Sequence, residues 1–135
     1  MSQGEIVVAT LRKPEVLQEL SANYPEDKLL VLKVDVTNQA DIDHAFARTK
    51  EVFGRLDVVF NNAGAAGVMG EAEMIPIDDA RAVIDVNFWG AVYVSRATIK
   101  FFRELNEPAP GGVLLQSSSV VGFMSLPVVS FYAAR

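Results

Sequence analysis

The sequence predicts an α/β fold in which a parallel sheet is covered by helices on both faces. Short aliphatic runs alternate with helical segments along the chain. The runs are apolar almost throughout, as befits strands buried on both faces. The unusual polar residues gather where those runs end, which is where such sheets bind their ligands.

Glu5 to Thr10 (EIVVAT) is the first run, and the polar Arg12-Lys13-Pro14 ends it and starts a helix expected over Glu15 to Asn23. Lys28 to Val36 (KLLVLKVDV) is the second strand. Thr37 or Asn38 is placed to cap the next helix by accepting a backbone N–H bond. In that helix Ile42, Ala45, Phe46, Thr49, Val52 and Phe53 recur at helical spacing and predict one buried face, leaving His44 on the polar side. Gly54 can end the helix in the left-handed conformation, and Leu56 to Phe60 (LDVVF) follows as a third strand.

After an irregular stretch to about Ile77, one long helix is expected from Asp78 to about Leu105, with Asp78 or Asp79 favouring its positive end. Val83, Val86, Gly90, Val94, Ala97 and Phe101 fall along one side, and Phe88 and Trp89 read as packing residues. Pro108 to Gly112 breaks the chain, Val113 to Ser117 is a fourth strand, and Ser130 to Arg135 opens a further helix. The 135 residues suit one domain.

Composition removes several function classes. The net charge is −5 with scattered cations, which gives no electrostatic footprint for nucleic acid. Cysteine is absent and His44 is the single histidine, so neither disulfides nor a zinc centre are expected. No apolar run approaches the ~20 residues that span a bilayer, and the N-terminus has no basic stretch leading into a sustained apolar one. A soluble, cytoplasmic protein without nucleic-acid or membrane partners is the expectation.

Asp35 closes the second run, Asn61 and Asn62 the third, and Ser117 to Ser119 the fourth. Each has an ordinary explanation as a turn or capping residue. Taken in order, they resemble the short-chain dehydrogenases and reductases from near the first residue to the last. Asp35-Val36-Thr37 is similar to the family's adenine-side motif, and Asn61-Asn62-Ala63-Gly64 is its tetrapeptide unaltered. Asn87 falls at its catalytic asparagine, and Tyr132, thirteen residues beyond Ser119, keeps its serine-to-tyrosine spacing.

The resemblance implies a Rossmann-like, doubly wound parallel sheet that is incomplete in this chain. The first strand and first helix, with their glycine-rich phosphate turn, and the C-terminal helices are expected to be absent. The central position between the Glu5 to Thr10 and Leu56 to Phe60 strands is therefore expected to be vacant or filled by another chain. The lysine that follows the family's tyrosine would come immediately after Arg135, which does not replace it.

The function implied is hydride transfer between NADP(H) and a carbonyl or secondary alcohol. Charge develops on the substrate oxygen, which needs a proton donor and a hydrogen-bonding partner. The resemblance assigns these to Tyr132 and Ser119. An unperturbed phenol has a pKa of ~10, so the family's lysine is needed to favour the phenolate. Asn87 would bend its helix and hold a relay water. Asp35 and Val36 would meet the adenine side, with Asn61, Asn62, Ala63, Gly64 and Tyr132 also at the cofactor.

NAD-preferring members place an acid after the first visible strand, where this chain has Leu11 followed by Arg12 and Lys13. An arginine can grip a 2′-phosphate with two parallel bonds, so NADP(H) is favoured over NAD(H). Val68, Met69, Met74 and Ile75 could form an apolar substrate wall or simply pack. The family resemblance also implies a homo-oligomer in a complete parent protein. The 135 residues by themselves are expected to be inactive and poorly stable. The alternative is a non-catalytic remnant that serves as a binding or interaction module, and a nucleotide-binding regulator is a third reading.

Overall fold

The computed structural model describes residues 4–107, 109–124 and 126–134. Expectations placed on Pro108 and Arg135 lie outside them. Strand β1 (Val7–Leu11) leads through a 3-10 turn over 14–17, with Pro14 at its start, into helix α1 (Gln18–Ala22). Then come strand β2 (Leu29–Lys33), helix α2 (Gln39–Phe53) and strand β3 (Val58–Asn61). The second half holds α3 (Ile77–Ile84), a π-helical segment over Asp85–Gly90, α4 (Ala91–Glu104), β4 (Val113–Gln116) and α5 (Ser130–Ala133).

The strands pair in parallel, as their uninterrupted apolar character predicts. They form two separate two-stranded sheets, β1 with β2 and β3 with β4. In register, Ala9 faces Val31 and Phe60 faces Leu115. Strands β1 and β3 do not pair, in line with the expected central gap. A cavity of about 400 Å³ lies between them, with α2 and α4 packed together beneath.

Helix α2 shows how local sequence sets an element. Asn38, not Thr37, is its cap and accepts the Ala40 N–H at 3.0 Å. At the other end Gly54 has φ 70, the left-handed conformation expected of it. Of the predicted face, Ile42, Ala45 and Thr49 are buried, and Thr49 satisfies its hydroxyl by donating to the Ala45 carbonyl at 2.7 Å. Val52 is an exception, exposed near the C-terminal end. Ile42, Ala45 and Val34 form the centre of the core, and Phe46 meets Phe101 of α4 with ring centroids 6.0 Å apart.

Two expectations about the second half are corrected. The long helix is real but changes register at Asp85–Gly90, where a π segment replaces α geometry. Phe88 and Trp89 do not pack inward; both are about half exposed and stack edge to face with each other. Within the segment Asn87 and Gly90 are the buried residues, continuing the inward face four and seven residues after Val83, and Gly90 lies on the side the sequence places it.

Beyond α4, buried Asn106 ties three segments together. Its Oδ1 accepts the Leu56 N–H at 3.0 Å, and its amide donates to the carbonyls of Leu56 and Gly111, each at 2.6 Å. Backbone groups at the entries to β3 and β4 are thereby satisfied in a region without ladder partners.

Gly90 sits against the turn after β2. A Cβ there would lie 2.6 Å from Val36 Cγ2 and 3.0 Å from Val36 Cβ. Gly90→Ala is therefore expected to cost about 1–3 kcal/mol through overpacking. In urea denaturation the midpoint should fall with the slope unchanged, and adding Val36→Ala should recover part of the loss. An unshifted midpoint would contradict this close packing.

Candidate active site

The chain after β2 is shaped by carboxylates. Asp35 Oδ1 accepts both the Thr37 N–H at 3.0 Å and the Thr37 hydroxyl at 2.7 Å, closing a tight turn. Asp41, on the first turn of α2, reaches back so that its Oδ2 accepts the Asp35 N–H at 2.9 Å and its Oδ1 accepts from the Asn38 amide at 3.0 Å. Asp41 is an anchoring residue that the strand-end motifs do not single out. Its signal was an acid three residues after a capping asparagine, the spacing of a capping box. Asp35 is held below the ordinary carboxylate value of 3.8 by the Thr37 N–H first and the Thr37 hydroxyl second, with smaller help from the charges of Arg12 and Lys33.

Asn61 ends β3 with its side chain buried, donating to the Ala91 carbonyl at 3.2 Å. That carbonyl also accepts the Ser95 hydroxyl at 2.6 Å. The end of β3 is thus fixed to the start of α4. From there Asn62, Ala63 and Gly64 run out along the cavity to Ala65.

Ala65 is clamped by Asn87. The buried Asn87 Oδ1 accepts the Ala65 N–H at 2.7 Å, and its Nδ2 donates to the Ala65 carbonyl at 2.8 Å. A side-chain amide here pairs with a loop peptide as a neighbouring strand would. Both ends of the amide are engaged, so the Asn87 side chain acts as a brace for this loop. Asn87 stands on the inward face of the rod, four residues after buried Val83 and within the π segment Asp85–Gly90.

Leu11, Arg12, Asp35, Val36, Asn61, Asn62, Ala63 and Gly64 all line the cavity between β1 and β3. Lys13 does not line it; its side chain is exposed at the start of the turn before α1. Ser117 to Ser119 follow β4 and also lie outside that lining. Ser119 precedes the 3-10 turn over 120–122, its backbone carbonyl accepting the Gly122 N–H at 3.0 Å, and α5, which bears the half-buried Tyr132, packs against that turn and against α3. The serine and tyrosine are therefore carried by adjoining elements. Above them the Gly70 N–H donates to the Val128 carbonyl at 2.9 Å, with Val128 in the left-handed region at φ 62, a costly conformation for a β-branched residue. Val68, Met69 and Met74 are exposed nearby in sequence, whereas Ile75 is buried.

The protein is thus Rossmann-like, with a parallel α/β scaffold and the polar ends of β1, β2 and β3 on one cavity. A profile of the short chain dehydrogenases matches residues 1–135, and the chain belongs to that family. It is 37% identical over 134 residues to an uncharacterised oxidoreductase of Schizosaccharomyces pombe, covering 99% of this chain and 43% of that protein. It is 36% identical over 132 residues to the oxidoreductase BOA17 of Botryotinia fuckeliana, covering 98% and 46%. The closed form of a serine dehydrogenase complexed with NADP+ superposes with a TM-score of 0.86 at 32% identity, covering 98% of this chain and 51% of that one. The chain spans about half the length of the relatives it matches. Among the described residues no helix is long and apolar enough to cross a membrane.

Because Asp35 has a depressed pKa when folded, its contribution to stability is complete above the unfolded value of 3.8. It is lost as pH falls through the lower folded value. Thr37→Val removes one of the two Thr37 bonds and should move the Asp35 titration upward toward 3.8. Carboxyl carbon NMR of Asp35 in both proteins measures this directly. Coincident titration curves would show that the Thr37 hydroxyl does not hold the charge.

Proposed function

We propose that this chain forms the cofactor-side core of an oxidoreductase that transfers hydride between NADP(H) and a carbonyl or secondary alcohol. The observation that carries the reading is the shared cavity. Arg12, Asp35 and the Asn61-Asn62-Ala63-Gly64 turn all open on it, and Leu11 stands where an acid would repel a 2′-phosphate. The donor chemistry fits the adenosine end of the cofactor. Arg12 offers a planar fork for phosphate, and Asp35, anionic at neutral pH, offers an acceptor for an exocyclic amine.

Bound NADP(H) supplies or accepts the hydride. The chain's own residues manage the oxygen of the substrate. Tyr132 would release a proton from its phenolic oxygen to that oxygen during reduction and take it back during oxidation. Ser119 would donate a hydrogen bond to the same atom as charge builds there. Asn87 would keep the loop at Ala65 in position beneath the reacting end of the cofactor. Residues Val68, Met69 and Met74 offer an exposed apolar wall for the substrate. A homo-oligomeric, cytoplasmic parent protein belongs to the same reading.

The test is made in a form of the protein that binds cofactor. Replacing Arg12 and Lys13 together by Ala should weaken NADP(H) by about 1.5–3 kcal/mol, the worth of charge-assisted bonds, and leave NAD(H) nearly unchanged in calorimetric titration. Arg12→Ala alone should account for most of the loss, because Lys13 lies outside the cavity. Equal losses for both cofactors would remove the 2′-phosphate assignment.

The 135 residues expressed by themselves are expected to turn over no ketone or alcohol, since neither the phosphate-binding glycine turn nor the lysine after the active-site tyrosine is among them. Cofactor absorbance with a substrate panel measures this. Steady turnover abolished by Tyr132→Phe would overturn that expectation.

A further inference from the structure

Asp41 makes contacts that helix capping does not explain. In a capping box the acid three residues after the cap returns to the cap residue's own backbone N–H. Here the Asn38 N–H donates instead to the Asp35 carbonyl at 2.9 Å, and the Asp41 carboxylate reaches past the cap to the Asp35 N–H. Each of its oxygens accepts one bond, Oδ2 from the Asp35 N–H at 2.9 Å and Oδ1 from the Asn38 side-chain amide at 3.0 Å. The side chain therefore clamps the residue that ends the strand to the start of α2.

The chain leaves the β1–β2 ladder just before Asp35, with the Val34 N–H donating to the Leu11 carbonyl at 3.0 Å. Beyond that bond, Asp35 Oδ1 is engaged by Thr37 and the Asp35 carbonyl by Asn38, partners only two and three residues away. Such local bonds fix the shape of a turn and not its place. Asp41 supplies the place, because it precedes Ile42, which is 1% exposed and packs with Val34 and Ala45 at the centre of the core. A side chain carried on so firmly held a part of a helix is a rigid support. Asp35 lines the cavity, and among the described residues no hydrogen bond is made to its Oδ2.

We propose that Asp41 is a positioning residue for recognition of the cofactor base. By anchoring the Asp35 backbone to α2 it holds Asp35 Oδ2 where that oxygen accepts a hydrogen bond from an exocyclic amine. The inference rests on the reading of this cavity as the adenosine end of an NADP(H) site. A fixed acceptor discriminates, because an amine facing it gains a charge-assisted bond that a base without an amine cannot make. An acceptor free to turn away loses that selectivity, while phosphate at Arg12 is still bound.

The test compares two ligands by NMR titration of the full 135-residue chain at neutral pH. One is adenosine 2′,5′-bisphosphate, and the other is the purine riboside 2′,5′-bisphosphate that lacks only the exocyclic amine. Both carry the same phosphates, so affinity for the second reports everything but the amine. The unaltered chain should prefer the adenosine ligand by about tenfold, the worth of one hydrogen bond to a charged group. Asp41→Ala should reduce that preference to about twofold and leave affinity for the purine riboside ligand within about twofold of its original value. Asp41→Asn keeps an oxygen for the Asp35 N–H and should retain a preference of about fivefold.

Should Asp41→Ala fail to fold, Asn38→Ser decides. Serine keeps a capping oxygen but removes the amide that holds Asp41 Oδ1, so the preference should fall to about threefold. An undiminished preference in the folded variants overturns the proposal and leaves the adenosine reading of the cavity standing. So does equal weakening of both ligands, the mark of a merely structural role. Binding of neither ligand by the unaltered chain, or of both alike, overturns the adenosine reading and the proposal together.

Discussion

The arrangement of this protein depends on one buried amide. Asn87 pairs with both backbone groups of Ala65 and so attaches the loop leaving β3 to the middle of the long helical rod. A buried peptide without partners is costly, and a loop at the end of a two-stranded sheet has few available. The pairing lies within the π segment, where Asn87 is on the buried side four residues after buried Val83. Gly90 then falls against Val36, where no side chain fits. Through these two contacts the helix positions the turn after β2 and the loop after β3, which are the two polar lips of the cavity.

Around that brace the polar residues form a connected set and not a scatter of surface groups. Asn61 reaches the Ala91 carbonyl, just past the π segment, and Ser95 shares the same acceptor. Asp41 holds the backbone of Asp35, which in turn holds Thr37. Asp35 thereby stays ionised beside Arg12 at the cavity mouth. Structural and functional explanations of these residues are thus not rivals. Asp35 does close a turn, and that closure is what lowers its pKa and fixes its carboxylate in place.

The cavity itself joins two properties of the fold. Its mouth is lined by the strand-end residues that the family resemblance assigns to cofactor, and its length is lined by residues of β1 and β3. Within these residues the four strands form two small parallel sheets on either side of that cavity. Helices α2 and α4, packed through Phe46 and Phe101, hold the halves together from one side.

The elements whose signals are local were legible in the sequence. Asn38 or Thr37 as cap, Gly54 as stop, the Ile42-Ala45-Thr49 face and the four aliphatic strands all follow from spacing and residue type, and each lies within a few residues of its expected place. The ordered polar motifs were legible too, because strand ends of parallel sheets are where such residues collect. Tertiary structure decided what spacing cannot express. The helix takes π geometry where Asn87 meets the Ala65 peptide, Arg12 faces the cavity while its neighbour Lys13 does not, and Val52, Phe88 and Trp89 stay exposed although their apolar side chains favour burial. A pattern along the chain records which residues prefer burial, but only the packed neighbours determine which of them find a partner.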